Sequence, residues 1–241
     1  MQLVTNEPLA RRRFRIGTYL YGAAMVVLMA ALLANLYLPQ EYEAAKLLAP
    51  FVALPIFFVP YLLSRDYIQR YGPRNRQDAA LAQAGKGLDQ RFSLVSFPSG
   101  KLPDYLLIGP SGIYVLVPRN HSGTLVCRGD RWAREGVGAA SQLVSTLWGT
   151  PLGNPTRDLA QGVGRVQQAL ADRLGDAGSS VPVNGLVVFT HPQARLRTEG
   201  CSVQATTAKN LKNQVRASGK GGLSTQQLAR IRDALVAGNG R

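Results

Sequence analysis

The sequence predicts an α/β protein, a mixed β-sheet flanked by helices and preceded by a transmembrane helical hairpin. Three observations carry that assignment. Two uncharged apolar runs lie close together near the start of the chain. The remainder strings short apolar segments between Gly/Pro turns, and one long amphipathic stretch is followed by a continuous apolar run. With 46% apolar residues and a mean hydropathy of -0.04 over 241 residues, the composition is that of a membrane hairpin averaged with a polar domain.

The first apolar run, Ile16 to Leu38, has 23 residues and no charge. About 20 apolar residues suffice for a helix to cross a bilayer core. The second, Leu47 to Leu63, has 17 residues and contains Pro50, Pro55 and Pro60. Those prolines would break a helix in water but are tolerated in a membrane helix whose neighbours satisfy the freed backbone groups. The connection from Pro39 to Lys46 is short enough to force a tight hairpin.

Arg11, Arg12, Arg13 and Arg15 precede the first run, and Arg65, Arg70, Arg74 and Arg76 follow the second. Because cytoplasmic flanks are enriched in basic residues, both ends are expected in the cytoplasm, with Glu41 and Glu43 at the outer tip, in a cell (inner) membrane. A secretory signal peptide is the competing reading, against which stand the length of the first run and the second run behind it. The predicted organisation is a basic N-terminus over 1–15, two spans at 16–38 and 47–63, a linker over 64–77 and a folded domain over 78–241. Cys127 and Cys201 are the only cysteines, without a CxxC or Cys/His cluster, so neither a disulfide framework nor a structural zinc site is expected, as suits a reducing cytosol. From Ser64 onward, 23 Lys and Arg oppose 11 Asp and Glu. That basic surplus attracts polyanions, whether anionic lipid head groups or nucleic acid.

Along the domain, Asp78 to Gln90 has helical spacing. Strands are expected around Phe92 to Phe97, Tyr105 to Ile108 and Ile113 to Val117, the last two joined by Gly109-Pro110-Ser111-Gly112. Gly123 to Arg128 and Arg131 to Arg134 form a small hairpin turning at Gly129-Asp130. Asn154 reads as an N-cap with Pro155 at the first helical position, and Leu159, Val163, Val166, Leu170 and Leu174 make a core-facing stripe. Gly185 to Thr190 is a buried strand, Ser202 to Ala205 a weaker one, and helices close the chain at Thr207 to Ala217 and Ser224 to Ala237.

The stretch from Asp104 to Gly123, followed in order by Gly129, Trp132, Asn154-Pro155 and the Val-rich strand before His191, resembles the nuclease-related domain (NERD) family over about Gly85 to Arg216. The resemblance implies a restriction-endonuclease-like fold of the PD-(D/E)xK superfamily. There, an acidic residue at one strand start and a Glu-x-Lys on the next hold a divalent metal that orients the attacking water. Pro103-Asp104 supplies the first part. The positions matching Glu-x-Lys are Val117-Pro118-Arg119, where valine cannot ligate and arginine cannot act as a base. Pro118 also removes a ladder donor, so this strand is expected to be interrupted or at an edge there. Near the end of the first helix, the family's Gly-Glu is replaced by Gly87-Leu88, with Asp89 one residue later.

The expected function is therefore that of a membrane-anchored pseudoenzyme binding nucleic acid or a protein partner, without a cofactor. The alternatives are an active nuclease with carboxylates rearranged around Asp104 and Asp89, which alone would require Mg²⁺ or Mn²⁺, and an assembly protein binding anionic lipid. Asp104 reads equally as the cap of the preceding loop. Arg119 is a candidate phosphate contact or a solvated strand end, and His121 and His191 read as turn residues. Lys209, Lys212 and Arg216 share a helix face, with Lys220 beyond it, forming either a phosphate-contacting stripe or a solvated surface.

Overall fold

A computed structural model describes residues 1–37, 39–136, 152–217 and 222–236. The chain divides into two units, one formed by Glu7–Arg76 and the other by Met1–Asn6 together with Gln77–Arg241.

The first unit is a helical hairpin of α1 (Glu7–Tyr37) and α2 (Glu43–Tyr71), joined through a 3-10 turn at Gln40–Tyr42. Both helices are long and apolar enough to cross a membrane. All three prolines lie inside α2. Both helices overrun the apolar runs, so the arginines before Ile16 are helical, and the segment expected as a linker over 64–77 is helical to Tyr71. The buried residues of α1 are Ala10, Gly17 and Ala24, seven positions apart, which forms a narrow seam of small side chains. A Cβ at Gly17 would lie 2.7 Å from Cβ of Tyr67, so the backbones approach where only glycine fits. Among the described residues, every exposed large apolar side chain except Leu3 belongs to this hairpin. Arg76 clamps its open end, donating to Glu7 Oε2 at 3.0 Å and Oε1 at 2.5 Å, and Arg13 donates to the Tyr71 hydroxyl.

In the second unit a six-stranded sheet is built from β1 (Gln2–Thr5), β2 (Ser93–Ser96), β3 (Tyr105–Gly109), β4 (Gly112–Arg119), β7 (Val183–Phe189) and β9 (Ala205–Thr207), in the order β1-β2-β3-β4-β7-β9. The β2–β3 and β3–β4 pairs are antiparallel; the β1–β2, β4–β7 and β7–β9 pairs are parallel. A smaller sheet sets β5 (Gly123–Arg128) between β6 (Arg131–Arg134) and β8 (Ala194–Glu199). The helices are α3 (Asp78–Ala84), α4 (Pro155–Leu174), the single turn α5 (Asp176–Ser179), α6 (Leu211–Ala217) and α7 (Thr225–Val236). This is the expected mixed sheet with flanking helices.

Helix α4 forms where the sequence places it. Asn154 Oδ1 accepts from the Arg157 amide at 3.1 Å, and Pro155 opens the first turn. Its Leu159, Val166 and Leu170 join Leu228, Ile231 and Leu235 of α7, and alternate residues of the strands such as Leu106, Ile108, Val115 and Val187, in one apolar cluster. Close approach is possible because Gly162 and Gly185 lack side chains: added Cβ atoms would lie 2.9 Å from Val115 Cγ1 and 2.7 Å from Leu159 Cγ. The intervening positions Leu94, Leu107, Leu116, Leu186 and Val188 are also buried, so the sheet is covered on both faces.

Three differences from the expected elements have local causes. The N-terminal residues expected as a basic tail include β1, which runs parallel to β2 from Gln2↔Ser93 to Thr5↔Ser96. β8 occupies Ala194–Glu199, whose alternating exposed arginines conceal a strand, and the late strand expected at Ser202 to Ala205 is instead β9 at Ala205–Thr207. The helix expected from Asp78 to Gln90 ends at Ala84, where Gly85 forms its C-terminal cap. Ala237 lies outside the described residues.

Candidate functional site

The end of the sheet where β3 begins and β4 finishes holds two of the expected site residues, Asp104 and Arg119. Tyr105↔Leu116 is the last pair of the β3–β4 ladder, so Asp104, just before β3, and Val117 lie at the same end of the two strands. The Asp104 carbonyl accepts from the Phe97 amide at 2.6 Å, closing the Pro98 to Pro103 loop. Phe97 itself has a φ of 56°, rare for a bulky residue, and is held by burial and by its ring 5.3 Å from Tyr105. The neighbouring polar groups are interlinked: the Gln77 amide donates to the Tyr105 hydroxyl at 3.1 Å, and the Thr190 hydroxyl donates to Gln77 Oε1 at 2.7 Å.

Val117 is buried in the apolar cluster beneath α4. Pro118 does not interrupt the strand. β4 pairs with β3 only through Leu116 and with β7 through Arg119, so Pro118 falls where β4 has lost one neighbour and its missing amide costs no ladder bond on that side.

Arg119 lies on the Val117 face of β4 and meets the start of α4. It is ion-paired with Asp158 in the first helical turn, while its Nε donates to the Leu152 carbonyl at 3.1 Å and its Nη1 to the Pro118 carbonyl at 3.2 Å. Burial lowers the Arg119 pKa and Asp158 opposes that shift; the guanidinium remains the charged partner of the pair. Its strong donors are committed to fastening α4 onto β4. The small sheet adds a second fastening, since Trp132 donates through Nε1 to the Thr156 hydroxyl at 2.9 Å and its ring packs, tilted by 40°, with its centroid 5.4 Å from that of Phe189.

Asp89 lies elsewhere. It precedes the start of β2, whereas Asp104 sits opposite the end of β2, so the antiparallel pair separates the two carboxylates along its length. Asp89 is bound to Arg91 at 2.7 Å, and that hydrogen bond lowers its pKa. On α6, Arg216 donates to the Gly87 carbonyl at 2.8 Å and Lys212 is half-buried near the same glycine, while Lys209 is exposed just before the helix. Lys220 lies outside the described residues. His121 lies between β4 and β5, and His191 Nδ1 accepts from the Gln193 amide at 3.2 Å within a turn.

A divalent metal of the PD-(D/E)xK kind does not fit these residues. Of the expected ligand positions, one is a buried valine, one carries a guanidinium already paired, and the displaced carboxylate is at the far end of the strand pair. Only Asp104 offers a carboxylate at an expected position, and a single carboxylate is a poor holder of a hydrolytic metal ion.

The two cysteines require a correction. Cys127 of β5 and Cys201, just after β8, form a disulfide with Cα atoms 6.2 Å apart. The parallel β5–β8 register, running from Gly123↔Ala194 to Arg128↔Glu199, brings the two ends together. With β8 unread in the sequence, no signal linked two cysteines 74 positions apart. The chain matches no family model, no curated protein and no solved structure.

Proposed function

We propose that the chain is a membrane-anchored module whose folded unit lies on the cytoplasmic side, has a nuclease-related scaffold without hydrolytic activity, and binds nucleic acid through its basic surface. The observation that carries the inactive reading is Val117, which takes the place expected for a glutamate at the same end of the strands as Asp104 and is buried in the apolar cluster. The pairing of β1 with β2 supports the two-span hairpin, because strands on both sides of it in sequence share one sheet and an even number of crossings returns the chain to the same side. Arginines at both ends of the hairpin favour the cytoplasm for that side. The basic surplus after Ser64 supports a polyanionic ligand, and exposed Lys209 is one side chain available to it.

The test uses the full chain in lipid nanodiscs with labelled DNA and RNA, in Mg²⁺ or Mn²⁺. The expected result is retention without cleavage, weakening steeply between about 50 and 200 mM salt. Charge reversal of Lys209 and Lys212 should weaken retention. Cleavage abolished by Asp104→Ala would overturn the inactive reading; absence of both cleavage and retention would move the ligand to a protein or anionic lipid.

A further inference from the structure

We propose that Cys127 and Cys201 form a reversible thiol–disulfide couple, an oxidative-modification site whose co-reactant is a low-molecular-weight disulfide. Its reversibility rests on the cytoplasmic orientation proposed above, since disulfides in that compartment are characteristically transient and redox-responsive.

The local construction favours re-formation after reduction. Cys127 is fully buried on the central strand of the small sheet, whereas Cys201 is half-buried in the segment leaving β8. That segment is held by bonds that do not involve sulfur. The Ser202 amide and hydroxyl donate to Asp130 Oδ1 at 2.8 and 2.9 Å, and the Gly129 amide donates to the Glu199 carbonyl at 3.4 Å. Asp130 reaches Ser202 because the β5–β6 turn carries left-handed φ values of 51° at Gly129 and 63° at Asp130, as a two-residue hairpin loop requires. The dithiol therefore stays in a preassembled seam, where each thiol meets the other at a high effective concentration. With no third cysteine in the chain, the couple has no internal competitor.

The difference in access sets the order of the chemistry. The Cys201 thiolate attacks one sulfur of glutathione disulfide and expels a glutathione thiolate, leaving a mixed disulfide. The buried Cys127 thiolate then attacks the Cys201 sulfur and expels the second glutathione. Two electrons and two protons pass from the protein thiols to the glutathione pair, and excess glutathione reverses both steps.

Full-length protein in nanodiscs, started either reduced or oxidised, is equilibrated with glutathione buffers of varied redox ratio, acid-quenched and alkylated with a polyethylene-glycol maleimide under denaturing conditions. The expected result is one transition between no tag and two tags, identical from both directions. Cys201→Ser should carry one tag on Cys127 under reducing conditions and form no internal disulfide. Ser202→Ala should shift the transition severalfold toward the dithiol without abolishing it. A bond that survives the most reducing buffer in the folded protein, or never forms in the most oxidising one, overturns the proposal. A parallel labelling of intact cells tests orientation separately: after reduction, trapping of Cys201 by a permeant maleimide alone is expected, and trapping by an impermeant one as well would refute the cytoplasmic reading and leave the nanodisc result standing on its own.

Discussion

Arg119 shows how a position suggestive of phosphate handling becomes structural. Its charge is paired with Asp158, and its Nε and Nη1 each donate to a backbone carbonyl, so a phosphate would compete with a carboxylate already in place. Arg119→Ala should therefore act on stability before it acts on any ligand. Removing a largely shielded guanidinium leaves an exposed Asp158 that water can solvate, which sets the expected loss at about 1–2 kcal/mol, below that for a fully buried pair. Equilibrium urea denaturation monitored by Trp fluorescence checks this, and an unchanged midpoint would show that the pair is dispensable. The pairing of β3 with β4 was legible in the sequence because the turn residues, Gly109 to Gly112, mark a tight hairpin. The Arg119–Asp158 pairing was not, because it depends on where α4 lands on the sheet.

At the scale of elements, α4 is the piece on which the site's geometry depends, and its seat is set by missing atoms. Gly162 gives Val115 and Pro103 room, and Gly185 does the same for Leu159. Gly162→Ala places a methyl 2.9 Å from Val115 Cγ1, and the helix must lift or Val115 must repack. The gain in helix propensity, about 1 kcal/mol, opposes an overpacking cost of about 1–3 kcal/mol, so net destabilisation of up to about 2 kcal/mol is expected. A melting temperature at or above that of the wild type would show that the interface has slack. Helix α4 was readable because its cap, its first-turn proline and its apolar stripe agree. β8 was not, because Arg195 and Arg197 alternate with Leu196 on a strand that is mostly exposed.

For the molecule as a whole, the main organisational surprise is that the second unit is discontinuous. The chain contributes β1, departs as the hairpin after Asn6, and resumes the unit at Gln77. The hairpin was evident from hydropathy alone, whereas four residues with parallel partners more than 80 positions away carry no local signature. Deleting Met1–Thr5, or expressing Arg65 to Arg241 alone, uncovers one edge of β2 and removes Val4 from the core it packs against. Either change should lower the melting temperature and raise the tendency to associate through the bared edge, measurable by light scattering. A fragment as stable and monodisperse as the full chain would show that β1 is an accessory.

The same arrangement imposes an order on synthesis. Gln2 emerges 91 residues ahead of its partner Ser93, and the hairpin is made in between. At about 5–20 residues per second the first strand waits roughly 5–18 s, unpaired, while the two apolar helices are made. In a membrane, a chain in which only one of the two helices crossed would strand β1 on the opposite side from β2, whereas an even number of crossings leaves the two strands together in either polarity. The sheet thereby reports the parity of the crossings and not their direction, since it can close only when both helices cross or neither does.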